Sequence, residues 1–226
     1  MLKLRPAPER YDERFMDTMA SAYLERTPWT ELRLAVVRDL VDPHPGDRVL
    51  DLGCAAGAIT HYLSTLGADP VGIDSEPLAI EKAQELFPEL RFEVADACDL
   101  PFPDARFDKA VAADFVEHIE DGVFERMCVE LRRVLTPGGT FALYTPNPRH
   151  LVERLKAHEI LLAQNPTHIG LRDAPALESL LGGCGFEVVR SEWRPSFFPG
   201  LRTVEKVVGR RHDVFRYRLC VLARVR

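Results

Sequence analysis

The sequence predicts an α/β fold, a mostly parallel sheet wound on both faces by helices, and three observations predict it. Short apolar runs alternate with stretches of helical periodicity from Val49 to Tyr144, the pattern left by right-handed βαβ crossovers. Several of these runs end at an acid: Asp51, Asp74, Asp96 and Asp114 stand at or just beyond four successive predicted strand ends. The stretch Val49-Leu50-Asp51-Leu52-Gly53-Cys54-Ala55-Ala56-Gly57 runs from apolar residues into an acid and small residues before helical spacing resumes. It reads as a strand, a tight turn and a helix whose N-terminus a polar ligand can approach closely.

In chain order, Tyr11 to Glu25 and Trp29 to Leu40 carry apolar residues at spacings near three and four and predict two amphipathic helices. Pro43-His44-Pro45-Gly46 turns the chain into a first strand at Val49 to Leu52, followed by a helix over Ala58 to Leu66. Val71 to Asp74 is a second strand, and Pro77, in a first-turn position, opens a helix through Phe87. Leu90 to Val94, Phe107 to Ala113 and Thr140 to Tyr144 are further strands, with a helix over Asp121 to Leu135 stopped by Pro137-Gly138-Gly139. Beyond Pro146 the pattern predicts helices at Leu151 to Leu162 and Ala174 to Leu181, with Asn165 to Leu171 irregular between them. A strand at Phe186 to Trp193, a long polar connection over Pro195 to Arg211 and a last strand at Val214 to Val225 close the chain, and the long connection suits an antiparallel return.

Composition bounds the rest. The 226 residues, 46% of them hydrophobic, suffice for one substantial core. The expectation is a single domain over residues 1–226, with a helical N-terminal cap at 1–42 and a lid on the acceptor side at 148–182. No run approaches the roughly 18 apolar residues that a membrane span requires, and the N-terminal stretch lacks the apolar core of a leader. A cytoplasmic protein without a membrane partner is expected. Cys54, Cys98, Cys128, Cys184 and Cys220 are scattered, odd in number and form no C-x-x-C pair, so neither a disulfide framework nor a zinc site is expected. His150, His158 and His168 form only a loose set, and no metal is expected. The net charge of −6 argues against a nucleic-acid partner. From Arg190 onward ten basic residues face three acidic ones, which suits solvated strand faces or an anionic substrate.

In open parallel sheets ligands bind beyond the carboxyl ends of the strands, and the four acids fall there. Asp74 lies where nucleotide folds place a carboxylate that accepts bonds from ribose hydroxyls. Asp96 suits an exocyclic amine, the Ala97 N–H a ring nitrogen, and Leu100 and Phe102 the face of a base. The G-x-G-x-x-G spacing of nicotinamide enzymes is not matched by Gly53-Cys54-Ala55-Ala56-Gly57-Ala58.

The segments VLDLGCAAG, VGID, VADACDLPF, FDKAVAADFVEHIED and LRRVLTPGGTFALYTPN, in this order, resemble the successive motifs of class I S-adenosylmethionine (SAM) methyltransferases of the small-molecule type, similar to quinone-pathway and sugar O-methyltransferases. The resemblance covers roughly Tyr11 to Trp193. It implies a Rossmann-like, doubly wound, seven-stranded sheet whose last strand is antiparallel, SAM as cofactor, and methyl transfer to a small-molecule acceptor, with oxygen favoured. It assigns Asp51, Gly53, Cys54, Ala55 and Gly57 to the turn around the cofactor, Asp74 and Ser75 to the ribose, Asp96 and Ala97 to the adenine, and Asp114 and Phe115 to the methionine end. Ala55 departs from the glycine usual there, which costs on the order of 1 kcal/mol if φ is positive. Glu117-His118 matches a Glu-His pair at the floor between cofactor and acceptor. The stretch from Asn165-Pro166-Thr167-His168 through Gly185-Phe186 resembles one in which a histidine faces the acceptor hydroxyl. His168 and His118 are the candidate catalytic residues, since imidazole titrates in the range useful for removing a hydroxyl proton. Tyr11, Phe15, Tyr23 and Trp29 are candidates to contact the methionine end or an apolar acceptor. The Asn-Pro-Pro-Tyr tetrad of amide and adenine methylation is missing after the fourth strand. A SAM-binding regulator without turnover and a methyltransferase acting on a macromolecule stay open as alternatives, and a homodimer stays open because lids of this kind sometimes pack in pairs.

Overall fold

The computed structural model describes residues 13–158, 165–196 and 199–226. Two helices, α1 (Glu13–Leu24) and α2 (Pro28–Val41), precede the sheet. Thr27 caps α2 by accepting the Thr30 N–H, and Pro28 occupies its first turn, where the missing N–H costs nothing. Then β1 (Arg48–Leu52), α3 (Ala58–Thr65), β2 (Asp69–Asp74), α4 (Pro77–Leu86), β3 (Arg91–Val94), β4 (Phe107–Ala113), α5 (Asp121–Val134) and β5 (Leu135–Pro146) alternate. The chain closes with α6 (Leu151–Ala157), α7 (Ala174–Gly183), β6 (Phe186–Arg194), α8 (Pro199–Val208) and β7 (Arg218–Val225).

The seven strands lie in the order β3-β2-β1-β4-β5-β7-β6. The pairings among β3, β2, β1, β4 and β5 are parallel, and β7 runs antiparallel between β5 and β6. The doubly wound sheet with an antiparallel last strand is thus present. The strand order reverses at β1, so the loops after β1 and β4 diverge to opposite faces and open a crevice between them. One face is covered by α2, α3 and α4 through Val37, Leu40, Ile59, Leu63, Ile80 and Ala83. The other is covered by α5 and α7 through Phe124, Met127, Leu131, Leu177 and Leu181.

Four elements differ from the sequence reading. The polar connection expected over Pro195 to Arg211 contains α8, held by Glu205, which is fully buried and 3.0 Å from His150 Nε2. The last strand starts at Arg218, after a short 3₁₀ turn at Asp213–Phe215. Pro137-Gly138-Gly139 does not end the preceding helix so much as form an irregularity inside β5, between the pairs Phe107↔Leu135 and Lys109↔Thr140. The helix expected over Leu151 to Leu162 ends at Ala157, with residues 159–164 outside the described set. The five cysteines are free thiols. Among the described residues no helix is long and apolar enough to cross a membrane.

Candidate functional site at the carboxyl edge of the sheet

The loop from β1 to α3 is built by backbone conformations that glycine favours. Gly53 has φ +67° and Gly57 +79°, and Ala55 has φ +48° without being glycine. Gly53 cannot carry a side chain, because a Cβ there would stand 2.5 Å from Cδ2 of Phe115. The strain at Ala55 is balanced by a bond: its N–H donates to Asp74 Oδ2 at 3.0 Å, while Asp74 Oδ1 accepts the Glu76 N–H, also at 3.0 Å. Asp74 therefore ties the turn after β1 to the turn after β2, and each of its oxygens retains a second lone pair for a ligand. Ser75 is exposed beside it. Beneath the turn Asp51 is buried and accepts the Thr60 hydroxyl at 2.6 Å, and burial pushes its carboxyl up to about 7. Cys54 is a buried thiol whose acidity burial suppresses further.

After β3, Asp96 is exposed and caps its own turn by accepting the Cys98 N–H at 2.8 Å, with Ala97 packed at the margin of the core. Leu100 is buried and Phe102 packs edge-on against Phe107 at 5.0 Å. Both have structural duties, since Arg133 donates to the carbonyls of Leu100 and Phe102.

Asp114 follows β4 in a left-handed conformation, φ +57°. Two guanidinium groups converge on it: Arg33 Nε on Oδ2 and Arg218 Nη1 on Oδ1, each at 2.8 Å. Arg33 comes from the N-terminal helices and Arg218 from the last strand, so this carboxylate gathers both ends of the chain at the site. Phe115 lies between Asp114 and the Gly53 turn.

The 3₁₀ turn Val116–His118 then presents Glu117 and His118. Glu117 is buried, accepts the Thr145 hydroxyl at 3.0 Å, and is pushed up to about 8, first by burial and then by the nearby Asp114 carboxylate. His118 Nδ1 sits 2.9 Å from Thr167 Oγ1 and 3.2 Å from the Thr167 carbonyl. His168 stacks edge-on against it with ring centroids 5.0 Å apart, and burial pushes the His168 imidazole down to about 4. The segment that carries His168 is held by Arg172, 5% exposed, which donates to the carbonyls of Val116, Ile119 and Gly170 and to Asp121 Oδ1. Gly170 donates to the Glu117 carbonyl, and a Cβ there would stand 1.9 Å from the Ile119 carbonyl oxygen.

A small pocket opens between α1, α2 and the Cys54–Ala56 turn, lined among others by Tyr23, Trp29 and Arg33. The Tyr23 hydroxyl is 2.6 Å from His61 Nδ1, which pins the cap to α3. Tyr11 and the Phe15 side chain lie outside the described residues. The sequence reading missed Arg33, Thr145, Arg172 and Arg218, because each acts through a partner distant in the chain.

A family model described as a methyltransferase domain matches residues 49–139, the segment from β1 into β5 that carries the strand-end acids. The match, together with the relatives that follow, supports a class I SAM-dependent methyltransferase. Its relatives include the chloroplastic tocopherol O-methyltransferase of Arabidopsis thaliana, 35% identical over 53% of this chain and 36% of the relative. Another is a ubiquinone biosynthesis O-methyltransferase of Azorhizobium caulinodans, 29% identical over 72% of this chain and 76% of the relative. The solved SAM-dependent methyltransferase of Mesorhizobium loti superposes with a TM-score of 0.64 at 20% identity, covering 89% of this chain and 99% of that one, a likeness of fold. Against the uncharacterized cyanobacterial methyltransferase and the plant tocopherol enzyme, the chain spans 47% and 36% of the relative's length. The cofactor of this methyltransferase family is SAM.

Proposed function

We propose that this methyltransferase, as a single domain over residues 1–226, transfers the SAM methyl group to a hydroxyl oxygen of a small molecule. One observation carries the reading: Gly53, Asp74, Asp114, Glu117, His118 and His168 come from separate segments to the carboxyl edge of the sheet, where the His118 and His168 rings stand 5.0 Å apart and burial favours their neutral forms. The residues fit the cofactor. The turn after β1 lines a pocket with the small residues Gly53, Cys54, Ala55 and Ala56, and Asp74 stands beside it with carboxylate oxygens that suit the ribose hydroxyls. Asp96 with Ala97 suits the adenine, and Asp51, Cys54, Ala55, Gly57, Ser75, Asp114 and Phe115 complete the surround.

When bound, SAM supplies a methyl group on a good leaving sulfonium, so the protein's work is orientation and exclusion of water. In this reading α1 and α2, with Tyr23 and Trp29, belong to the cap on the methionine side, and the segment from Asn165 to Arg172 carries His168 to the acceptor side. The hydroxyl proton is handled at His168 and His118. The Thr167 hydroxyl donates to Asn165 Oδ1, so its contact with His118 Nδ1 has the imidazole as donor, and the Thr167 carbonyl accepts from the same N–H. That places the His118 lone pair on Nε2. Burial keeps His168 neutral above about pH 4, in the form that accepts a proton. The names of the tocopherol and ubiquinone relatives, both O-methyltransferases, support oxygen as the acceptor atom.

The test is incubation of purified protein with methyl-labelled SAM and fractionated cell extract, with products identified by mass spectrometry. A labelled small-molecule methyl ether, lost in His168→Ala, is expected. Label confined to protein or RNA, or no label in a protein that binds SAM, would overturn the reading in favour of a macromolecular acceptor or of a regulator.

A further inference from the structure

We infer that Glu117, His118 and His168 form a binding site for one divalent transition-metal ion, Zn²⁺ or Mn²⁺ in class, beside the proposed acceptor position. One ligand atom from each of the three lies within 4.8 Å of the other two. Two imidazoles and one carboxylate are a donor set suited to such ions, and three protein ligands leave coordination positions open. The loose set of histidines in the sequence gave no sign of this, because the partners of His168 are the adjacent pair Glu117-His118, some fifty residues earlier. The fold brings them together.

Three features show a site that is built rather than accidental. The first is the histidine tautomer. Metal-binding imidazoles as a rule donate their other ring N–H to a carbonyl or another acceptor, which fixes the ring and raises its basicity. His118 does so: its Nδ1–H is committed to the Thr167 carbonyl and hydroxyl oxygens at 3.2 and 2.9 Å, and Asn165 takes the hydroxyl's own proton. The neutral ring then carries its lone pair on the other nitrogen, Nε2.

The second is the carboxylate. Glu117 is 1% exposed, and its Oε2 accepts the Thr145 hydroxyl at 3.0 Å from the neighbouring strand end. A carboxyl in this position can release its proton to an incoming cation and ligate it, as metal-binding carboxyls do.

The third is rigidity. The loop bearing His168 is fastened to the turn bearing Glu117 by the Gly170 N–H on the Glu117 carbonyl at 2.9 Å. Arg172 adds bonds to the carbonyls on both sides of that turn, Val116 and Ile119, at 2.8 and 2.7 Å. The approach is so close that only glycine fits at residue 170. Ligands from two separate segments are thereby held in place before any ion arrives, which is what a binding site of useful affinity requires.

Ion binding does not depend on the proposed methyl transfer. What the ion does there rests on that reading and replaces its base. With the ion bound, the lone pairs of His118 and His168 are engaged in ligation, so the ion acts as a Lewis acid beside the acceptor oxygen, makes the hydroxyl more acidic, and the proton passes to solvent rather than to either imidazole.

The test uses untagged full-length protein stripped with a chelator and titrated with Mn²⁺ by electron paramagnetic resonance. Binding of S-adenosylhomocysteine is measured in parallel on the same samples. One Mn²⁺ per chain is expected, weakened at least about tenfold in His168→Ala and in Glu117→Gln and unchanged in His44→Gln, a distant surface control. Retained S-adenosylhomocysteine binding by His168→Ala shows that the fold survives. Absence of stoichiometric Mn²⁺ binding, or equal binding by wild type and both variants, would overturn the inference. A protein that binds Mn²⁺ at this site but no S-adenosylhomocysteine would keep the inference and remove the proposed function.

Discussion

Gly53→Ala should destabilise the protein by about 1.5–3.5 kcal/mol, and most of that loss should depend on Phe115. At φ +67° an L residue costs about 1 kcal/mol relative to glycine. The new Cβ would stand 2.5 Å from Phe115 Cδ2 and 2.9 Å from Cγ, far inside van der Waals contact. The ring must swing away from Asp114 and the turn, an overpacking cost of about 1–3 kcal/mol. The smaller conformational freedom of alanine in the unfolded chain returns about 0.5 kcal/mol. In a Phe115→Ala background the steric part vanishes and only the backbone part remains. A double-mutant cycle should therefore give a coupling of about 1–3 kcal/mol. Urea unfolding followed by the fluorescence of Trp29 and Trp193 reads it. Additivity within about 0.3 kcal/mol would refute the claim that Phe115 is what keeps residue 53 bare.

Ala55→Gly should leave stability within about 0.5 kcal/mol of wild type, because relief at φ +48° is offset by the greater freedom of glycine when unfolded; urea midpoints test it. Arg172→Met should cost about 3 kcal/mol, since it strands the carbonyls of Val116 and Ile119 without a donor, and hydrogen exchange across residues 165–171 should quicken. Asp51 titrates near 7 in the fold against a usual value near 4, so the folded state holds a proton that the unfolded chain has released between those two pH values. Its contribution to stability is complete below about pH 4 and is lost as pH rises through 7, on the order of 4 kcal/mol. Asp51→Asn should therefore gain stability relative to wild type between pH 5 and pH 8 in the absence of cofactor, and equal pH profiles for the two proteins would contradict this.

The sheet and its acids were readable in the sequence because both obey local rules. Buried parallel strands are short apolar runs, and Gly53, Gly57 and Pro77 mark their turns with backbone preferences that act within a few residues. Helix α8 was not readable, because the feature that fastens it is a buried pair: Glu205 looks like one more solvated charge until His150 is found 3.0 Å away. The same holds for Arg33 and Arg218, which meet at Asp114 from opposite ends of the chain. His168 and the pair Glu117-His118 were each singled out by resemblance, but that they meet follows only from the docking of Gly170 and Arg172 against the turn after β4. Ala55 posed a question that sequence cannot answer. Its φ is positive, and the Asp74 carboxylate that accepts its N–H gives the turn a partner that offsets the strain.

The central claim is that the turn from Gly53 to Gly57, locked to Asp74, is a SAM site. Calorimetric titration of the purified protein with S-adenosylhomocysteine tests it most directly. One site per chain is expected, with affinity reduced at least about tenfold by Asp74→Ala, since that change removes both a ligand acceptor and the bond that holds Ala55. No heat of binding at millimolar ligand from a folded protein would contradict it.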